Sequence, residues 1–274
     1  MIRFGRETDR QAIRELFDLC FPDESGFNAY FFQHIFQPAR TLLAEQEGKL
    51  CAMLQMLLYR LAWNGEEGEA TYIYGACTHP EHRRQHWMAR LLETSFKTDQ
   101  EQRRIASLLI PQEAWLFDFY RPFGYLPSFS LKREVLLRDG SANEDVQKLE
   151  DFSQAKLLYQ QAMAAVPCHL VRSEKNWQAQ FAMFQALGVG AFGLYEADRL
   201  LAYAFVWQEA DGLFAQELIG IDSQCAERLG RSLLRQFGSE KLTYCTVGGT
   251  HPFGCLKLYR ADSPTHGYIN LMFN

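Results

Sequence analysis

Two spacings of apolar residues alternate along the first half of the chain. Ala12, Ile13, Leu16, Phe17 and Cys20 recur every three to four positions, and Thr8-x-x-Gln11 ahead of them has the form of a capping box. A helix is expected there, ended by Phe21-Pro22. The polar stretch Asp23-Glu24-Ser25-Gly26 precedes a second, aromatic helix from Phe27 to Phe36, stopped by Pro38. Ile2 to Arg6, Thr41 to Glu45 and Leu50 to Leu61 read as strands, the last two joined at Glu47-Gly48-Lys49. Glu66-Glu67-Gly68 turns into a β-prone run, Tyr72 to Thr78. That run passes through Arg83-Arg84-Gln85 into a helix whose apolar face carries Trp87, Met88, Leu91, Leu92 and Phe96. Ala106 to Ile110, Ala114 to Tyr120 and Leu131 to Leu137 then predict a strand, a short helix and a closing strand.

The second half repeats this order. Helical patches from Ser153 and over Trp177 to Leu187 precede a hairpin, AFGLYE and RLLAYAFVW, that turns at Ala197-Asp198-Arg199. It parallels TLLAEQ and KLCAMLQML around Glu47-Gly48-Lys49. A strand from Leu213 to Ile219 leads into a helix from Ala226 to Phe237, with Leu229, Leu233 and Phe237 on one side. Helices, hairpin, strand, helix and strand appear twice, which reads as a divergent internal duplication and not as a solenoid of short repeats. Residues 138–145, polar and turn-rich, mark the join.

Composition narrows the function. In 274 residues with 47% hydrophobic content there is apolar material for one large or two ordinary domains. A net charge of −5 gives no footprint for nucleic acid or anionic lipid, and no run approaches the ~20 apolar residues of a membrane span. No apolar run follows the charges of MIRFGRETDR, so it does not have the pattern of a signal peptide. The seven scattered cysteines form no CxxC and read as reduced thiols of a cytoplasmic protein.

The strand-to-helix passage carries the candidate chemistry. A helix N-terminus gathers free backbone N–H groups and the positive end of the dipole, and two arginines stand beside it, which suits a phosphate or pyrophosphate. The segment Thr78-His79-Pro80-Glu81-His82-Arg83-Arg84-Gln85-His86-Trp87-Met88 resembles motif A of the GCN5-related N-acetyltransferases (GNAT), commonly T-x-P-x-Y-R-G-x-G-L-M. Downstream, Phe119-Tyr120-Arg121-Pro122-Phe123-Gly124-Tyr125 resembles the F-Y-x-x-F-G-F/Y element of the same family, and the two lie in the family's order. By pattern the chain is similar to the tandem acetyltransferases of the enhanced-intracellular-survival type.

The resemblance implies an α/β (α+β) fold of tandem GNAT-like domains, each a mixed, mostly antiparallel twisted sheet flanked by helices. The expected division is a GNAT domain over 1–138, a linker over 139–149 and a degenerate second domain over 150–274. Acetyl-CoA would be the cosubstrate and no metal is implied. Arg83, Arg84, Gln85, His86, Trp87, Met88 and Ala89 would wrap its pyrophosphate, and the backbone of Ala76, Cys77 and Thr78 would hold its pantetheine arm. Tyr120 would donate a proton to the departing thiolate. A base for the acceptor amine is implied as well: in three-domain relatives it can be the C-terminal carboxylate, here Asn274, and Asp23, Glu24 and Glu113 are alternatives. Small-molecule or peptide amines are the implied acceptors, with homo-oligomers possible. A catalytically silent module of the same fold, binding a ligand or partner, is the other reading.

One departure stands out: the family glycines fall at Arg84 and His86. Glycine suits close approach to phosphates or unusual backbone angles. His86 could therefore clash with the pyrophosphate or add an imidazole donor. His79, His82 and His86 read as a histidine-rich surface loop and not as a metal shell. Gly188-Val189-Gly190-Ala191-Phe192-Gly193 matches GxGxxG formally, but it follows a helix and enters a strand, the reverse of a dinucleotide site. Between Ile219 and Ala226 the second half has Asp222 and no arginine, so it would repel a pyrophosphate.

Overall fold

The computed structural model describes residues 1–140, 144–260 and 266–271, which form two compact units. The first takes Met1–Phe129 and the strand segment from Phe253; the second takes Ser130–Pro252 and the segment from His266. Among the described residues no helix is long and apolar enough to cross a membrane.

The first unit contains β1 (Ile2–Phe4), α1 (Arg10–Cys20), α2 (Phe27–His34), β2 (Thr41–Gln46), β3 (Lys49–Trp63), β4 (Glu66–Thr78), α3 (Trp87–Glu101), β5 (Ala106–Leu109) and α4 (Ala114–Tyr120). Neighbouring strands run in the order β1-β2-β3-β4-β5. All these pairs are antiparallel except β4 with β5. Both hairpins close through two-residue turns with left-handed backbone, Glu47-Gly48 (φ 53° and 76°) and Asn64-Gly65 (φ 49° and 85°), the geometry that follows strand twist. The expected turn at Glu66-Glu67-Gly68 is in fact the start of β4. Trp87, Leu91 and Leu92 of α3 cluster with Leu42, Leu54 and Ile73 on one face of the sheet. On the other face Phe17 stacks among Phe21, Phe31, Phe32 and Tyr74, with centroids 4.8–5.9 Å apart.

The second unit holds most of β6 (Leu126–Leu137), then β7 (Gln147–Lys148), α5 (Ser153–Met163), β8 (Cys168–Val171), α6 (Glu174–Ala186), β9 (Gly190–Glu196), β10 (Arg199–Glu209), β11 (Gly212–Gly220), α7 (Ser223–Phe237) and the first part of β12 (Lys241–Leu258). Its strands neighbour one another in the order β12-β11-β10-β9-β7. Leu218, Leu229, Leu233 and Leu242 centre its core. The formal GxGxxG lies at the passage from α6 into β9.

The domain boundaries differ from expectation in two ways. The stretch read as a linker contributes structure: β7 pairs with β9, and Val146 joins the second core. Burial of Val146 and Leu149 is what their polar surroundings hid; residues 141–143 lie outside the described residues. Leu131 to Leu137, expected to close the first domain, belongs to the second, where Leu136 packs on the core. The first sheet is completed instead by the end of β12, with Cys255 opposite Leu109 and Leu258 opposite Ala106. Tyr259 then donates to Asp99 on α3 at 2.7 Å, and Asp99 also accepts from Thr71 at 2.6 Å and Arg104 at 2.9 Å. A fully buried carboxylate needs such partners, so this cluster fastens the returning strand.

Candidate active site

The site is built where β4 loses a neighbour. β3 accompanies β4 along nearly all its length, but β5 pairs with it only from Ala70 opposite Ala106 to Tyr72 opposite Leu108. From Ile73 to Thr78 one edge of an interior strand is open, and backbone groups there require partners from elsewhere. The register with β3 slips between Met53, opposite Cys77, and Gln55, opposite Tyr74. Gly75 and Ala76 therefore face Leu54 alone, a β-bulge that kinks the strand and re-aims its backbone. Gly75 is required there: its φ is +56°, and a Cβ would lie 2.6 Å from the Phe17 ring. Beside it, the buried Gln55 carboxamide has no partner at either atom among the described residues. A glycine within an aromatic strand is the sequence signal for such a bulge.

Past Thr78 the chain makes one tight turn, Pro80–His82, in which His79 Nδ1 accepts from the Glu81 N–H at 3.3 Å. Arg84 and His86 then have φ of 62° and 60°. These are the two positions where the family pattern has glycine. Left-handed backbone costs an ordinary residue about 1–2 kcal/mol, and histidine is among the residues that enter this region more readily. The loop thus keeps a glycine-like path without glycine. His86 is exposed and begins α3 without a side-chain cap. The first intrahelical bond runs from Arg90 N–H to His86 C=O at 3.2 Å. The N–H groups of Trp87, Met88 and Ala89 precede it and have no helical acceptor. Trp87 anchors this end: its ring is buried, its indole N–H donates to Gln85 at 3.3 Å, and the Arg90 guanidinium lies 4.7 Å over the ring. Arg83 and Arg84 are exposed, with Arg83 Nε 3.4 Å from the Thr78 carbonyl oxygen.

Tyr120 ends α4, buried in the same apolar cluster as Ile73 and Leu54 of the bulged strand pair. Phe119 and Tyr125 hold its ring at 5.0 and 5.8 Å. Burial pushes its phenol up to about 12, with smaller contributions from Cys255 and Cys77, so it stays protonated at neutral pH. Its hydroxyl makes no hydrogen bond among the described residues. The open edge at Ala76, Cys77 and Thr78 and the donor-rich turn from Arg83 to Ala89 are consecutive in the chain. Tyr120 shares the apolar cluster that backs them.

The base candidates fare differently. Burial works to raise the Asp23 carboxyl, but the Ser25 hydroxyl and the backbone N–H groups of Asn28 and Ser25 outweigh it and hold Asp23 below its ordinary value. It ties the loop to α2 and is a poor proton acceptor. Glu24 and Glu113 are exposed, the latter heading α4. Asn274 lies outside the described residues. Not foreseen from sequence was Cys20, at the end of α1, whose thiol lies 3.8 Å from the Thr78 carbonyl oxygen.

Compared with known proteins, residues 1–127 match the family model described as an acetyltransferase (GNAT) domain. No curated protein matches the chain. Among solved structures, the chain is similar to a conserved protein of unknown function, a probable N-acyltransferase, from Enterococcus faecalis V583. They share 12% identity, covering 94% of this chain and 72% of that one, with a TM-score of 0.74. Eis1 from Mycobacterium abscessus is similar at 16% identity, covering 94% and 73%, with a TM-score of 0.65. N-myristoyltransferase from Saccharomyces cerevisiae, solved with bound myristoyl-CoA, is similar at 10% identity, covering 96% and 80%, with a TM-score of 0.63. At such identities the likeness is one of fold.

Proposed function

We propose that the chain, whose residues 1–127 match the acetyltransferase (GNAT) domain model, transfers an acetyl group from acetyl-CoA to an amine, with one active site per chain. The observation that carries this reading is the left-handed backbone at Arg84 and His86. A strained path kept by unfavourable residues points to a function for that path, and here it leaves three helix-start N–H groups and two guanidinium groups at one turn. The residues fit the cofactor: Arg83, Arg84 and the N–H groups of Trp87, Met88 and Ala89 would hold its pyrophosphate. The edge of Ala76, Cys77 and Thr78 that β5 leaves open would take the amides of its pantetheine arm.

Acetyl-CoA supplies the acyl group already activated as a thioester. Tyr120 keeps a proton at Oη through the physiological range, ready for a leaving thiolate. The acceptor amine attacks directly, without an acyl-enzyme, and must first lose its own proton. Small-molecule or peptide amines are the acceptor class. The test is calorimetric titration of coenzyme A and acetyl-CoA into the full chain, with melting followed in parallel. Binding is expected, and acetyl-CoA at 100 times its Kd should add about 2.7 kcal/mol of stability. No heat and no shift at millimolar cofactor would overturn the reading in favour of a silent module.

A further inference from the structure

Where β12 returns to the first unit it brings a charge with it. Lys257 stands opposite Ser107 of β5 and is half-buried. Among the described residues its ammonium makes no ion pair. It lies 4.6 Å over the Phe96 ring and donates to the Phe123 carbonyl oxygen at 2.8 Å. Burial holds the ammonium below its ordinary value, as expected for a cation placed without a counter-ion. A lysine stem commonly carries its charge out to water. This one ends on a backbone oxygen.

That oxygen lies just past Tyr120. The chain runs from the end of α4 straight into the turn Arg121–Phe123, which Gly124 closes with φ of +88° and an N–H donated to the Arg121 carbonyl at 2.9 Å. Carbonyls at a helix end lack helical donors, and a cation there meets the negative end of the dipole. Lys257 supplies the donor from 134 positions away in the chain. The fit is close, since a Cβ on Gly124 would lie 2.6 Å from Nζ. A second route runs through rings: Phe96 lies 5.8 Å from Tyr125, and Tyr125 lies 5.8 Å from Tyr120. Tyr125 is itself fixed by a 2.6 Å hydrogen bond between its hydroxyl and Ser107. We propose that Lys257 is the positioning residue of Tyr120, fixing through the Phe123 carbonyl where the phenol stands. This rests on the acetyl-transfer reading, in which Tyr120 gives its proton to the leaving thiolate. Small displacements of a reacting group cost rate, whereas cofactor affinity is set at the other end of the slot.

Lys257→Met keeps the stem over Phe96 and removes the donor. Lys257→Leu is the second variant, and circular dichroism checks the fold of both. In each, kcat should fall about tenfold while the Kd for acetyl-CoA stays within about twofold. In a Tyr120→Phe background, Lys257→Met should lower kcat no further, because residues that act as one unit are not additive. A 3-fluorotyrosine in place of Tyr120 reads the surroundings of the ring without any acetyl transfer. Its fluorine NMR signal should shift or split when Lys257→Met is added. An unchanged signal, an unchanged kcat, or a full second loss in the Tyr120→Phe background would overturn the proposal. A wild type that transfers no acetyl group would overturn the reading beneath it, and the fluorine signal would still decide whether Lys257 places Tyr120.

Discussion

The two units reach the same decision point and resolve it in opposite ways. In the first, β4 parts from β5 after Tyr72; in the second, β11 parts from β12 after Ala215, opposite Tyr244. Each parting strand leads through a short turn into a 15-residue helix, α3 or α7. At α7 the chain satisfies itself: Asp222 begins the helix with extended backbone, and its carboxylate accepts from the Cys225 N–H at 2.7 Å. The turn is tight, since a Cβ on Gly220 would lie 2.7 Å from Ala226 N. The open edge of β11 is also covered. Asn270 Nδ2 donates to the Gln216 carbonyl at 2.5 Å, and the Gln216 side chain donates to the carbonyl of Leu271. Next to it, buried Arg172 forms a two-pronged pair with Glu217, at 2.7 and 2.6 Å, which Tyr203 and Tyr268 complete. In the first unit, among the described residues, the corresponding helix start has no side-chain cap and β5 pairs with β4 no further than Tyr72. One architecture makes either an open strand edge or a sealed core, according to whether the chain supplies the hydrogen-bond partners itself.

The largest effect that can break this comparison falls on Tyr120. Tyr120→Phe keeps the ring and removes the proton, so kcat for acetyl transfer should fall about 100-fold while the Kd for acetyl-CoA stays within about threefold. Steady-state rates with calorimetry decide it; an unchanged kcat removes Tyr120 from the chemistry. Because its phenol titrates only near 12, no activity loss between pH 7 and 10 should trace to this residue in wild type.

Next come the two arginines. Arg83→Ala and Arg84→Ala should each weaken coenzyme A binding roughly tenfold, with a larger loss at low salt, as expected for a charge-assisted phosphate contact. Arg228→Ala, which breaks the ion pair to Glu144 in the second unit, should leave binding as it is. If Arg228→Ala weakened coenzyme A as much as the other two, the assignment of one slot would fail.

The smallest effects are expected at the two helix starts themselves. His86→Gly relieves left-handed strain but adds freedom to the unfolded chain, so affinity should stay within about threefold. A mutant that binds beside a wild type that does not would show that the imidazole fills the slot. Asp222→Ala should lower the melting temperature by a few degrees without changing coenzyme A binding. The backbone N–H of Cys225 holds the Asp222 carboxyl below its ordinary value. A depressed carboxylate stabilises the fold above its unfolded pKa and loses that contribution as pH falls through the folded value. The difference in melting temperature between wild type and Asp222→Ala should therefore close on acidification.

Local patterns determined much of this protein. Periodicity placed α1, β3, α4 and the paired hairpins, because an amphipathic face and a two-residue turn are properties of neighbours in the chain. Motif spacing marked the turn from Thr78 to Ala89 and Tyr120. Tertiary structure decided the rest. The pairing of β12 with β5, the bulge at Gly75 beneath Phe17, and the approach of Cys20 to the Thr78 carbonyl each join residues far apart in sequence. That Arg84 and His86 hold the angles of glycine is likewise set by the strand and helix they connect, with Trp87 fixing where the helix begins. Side-chain identity gives a residue its preference for a backbone region, about 1–2 kcal/mol. The packing of the elements on either side is strong enough to overrule it.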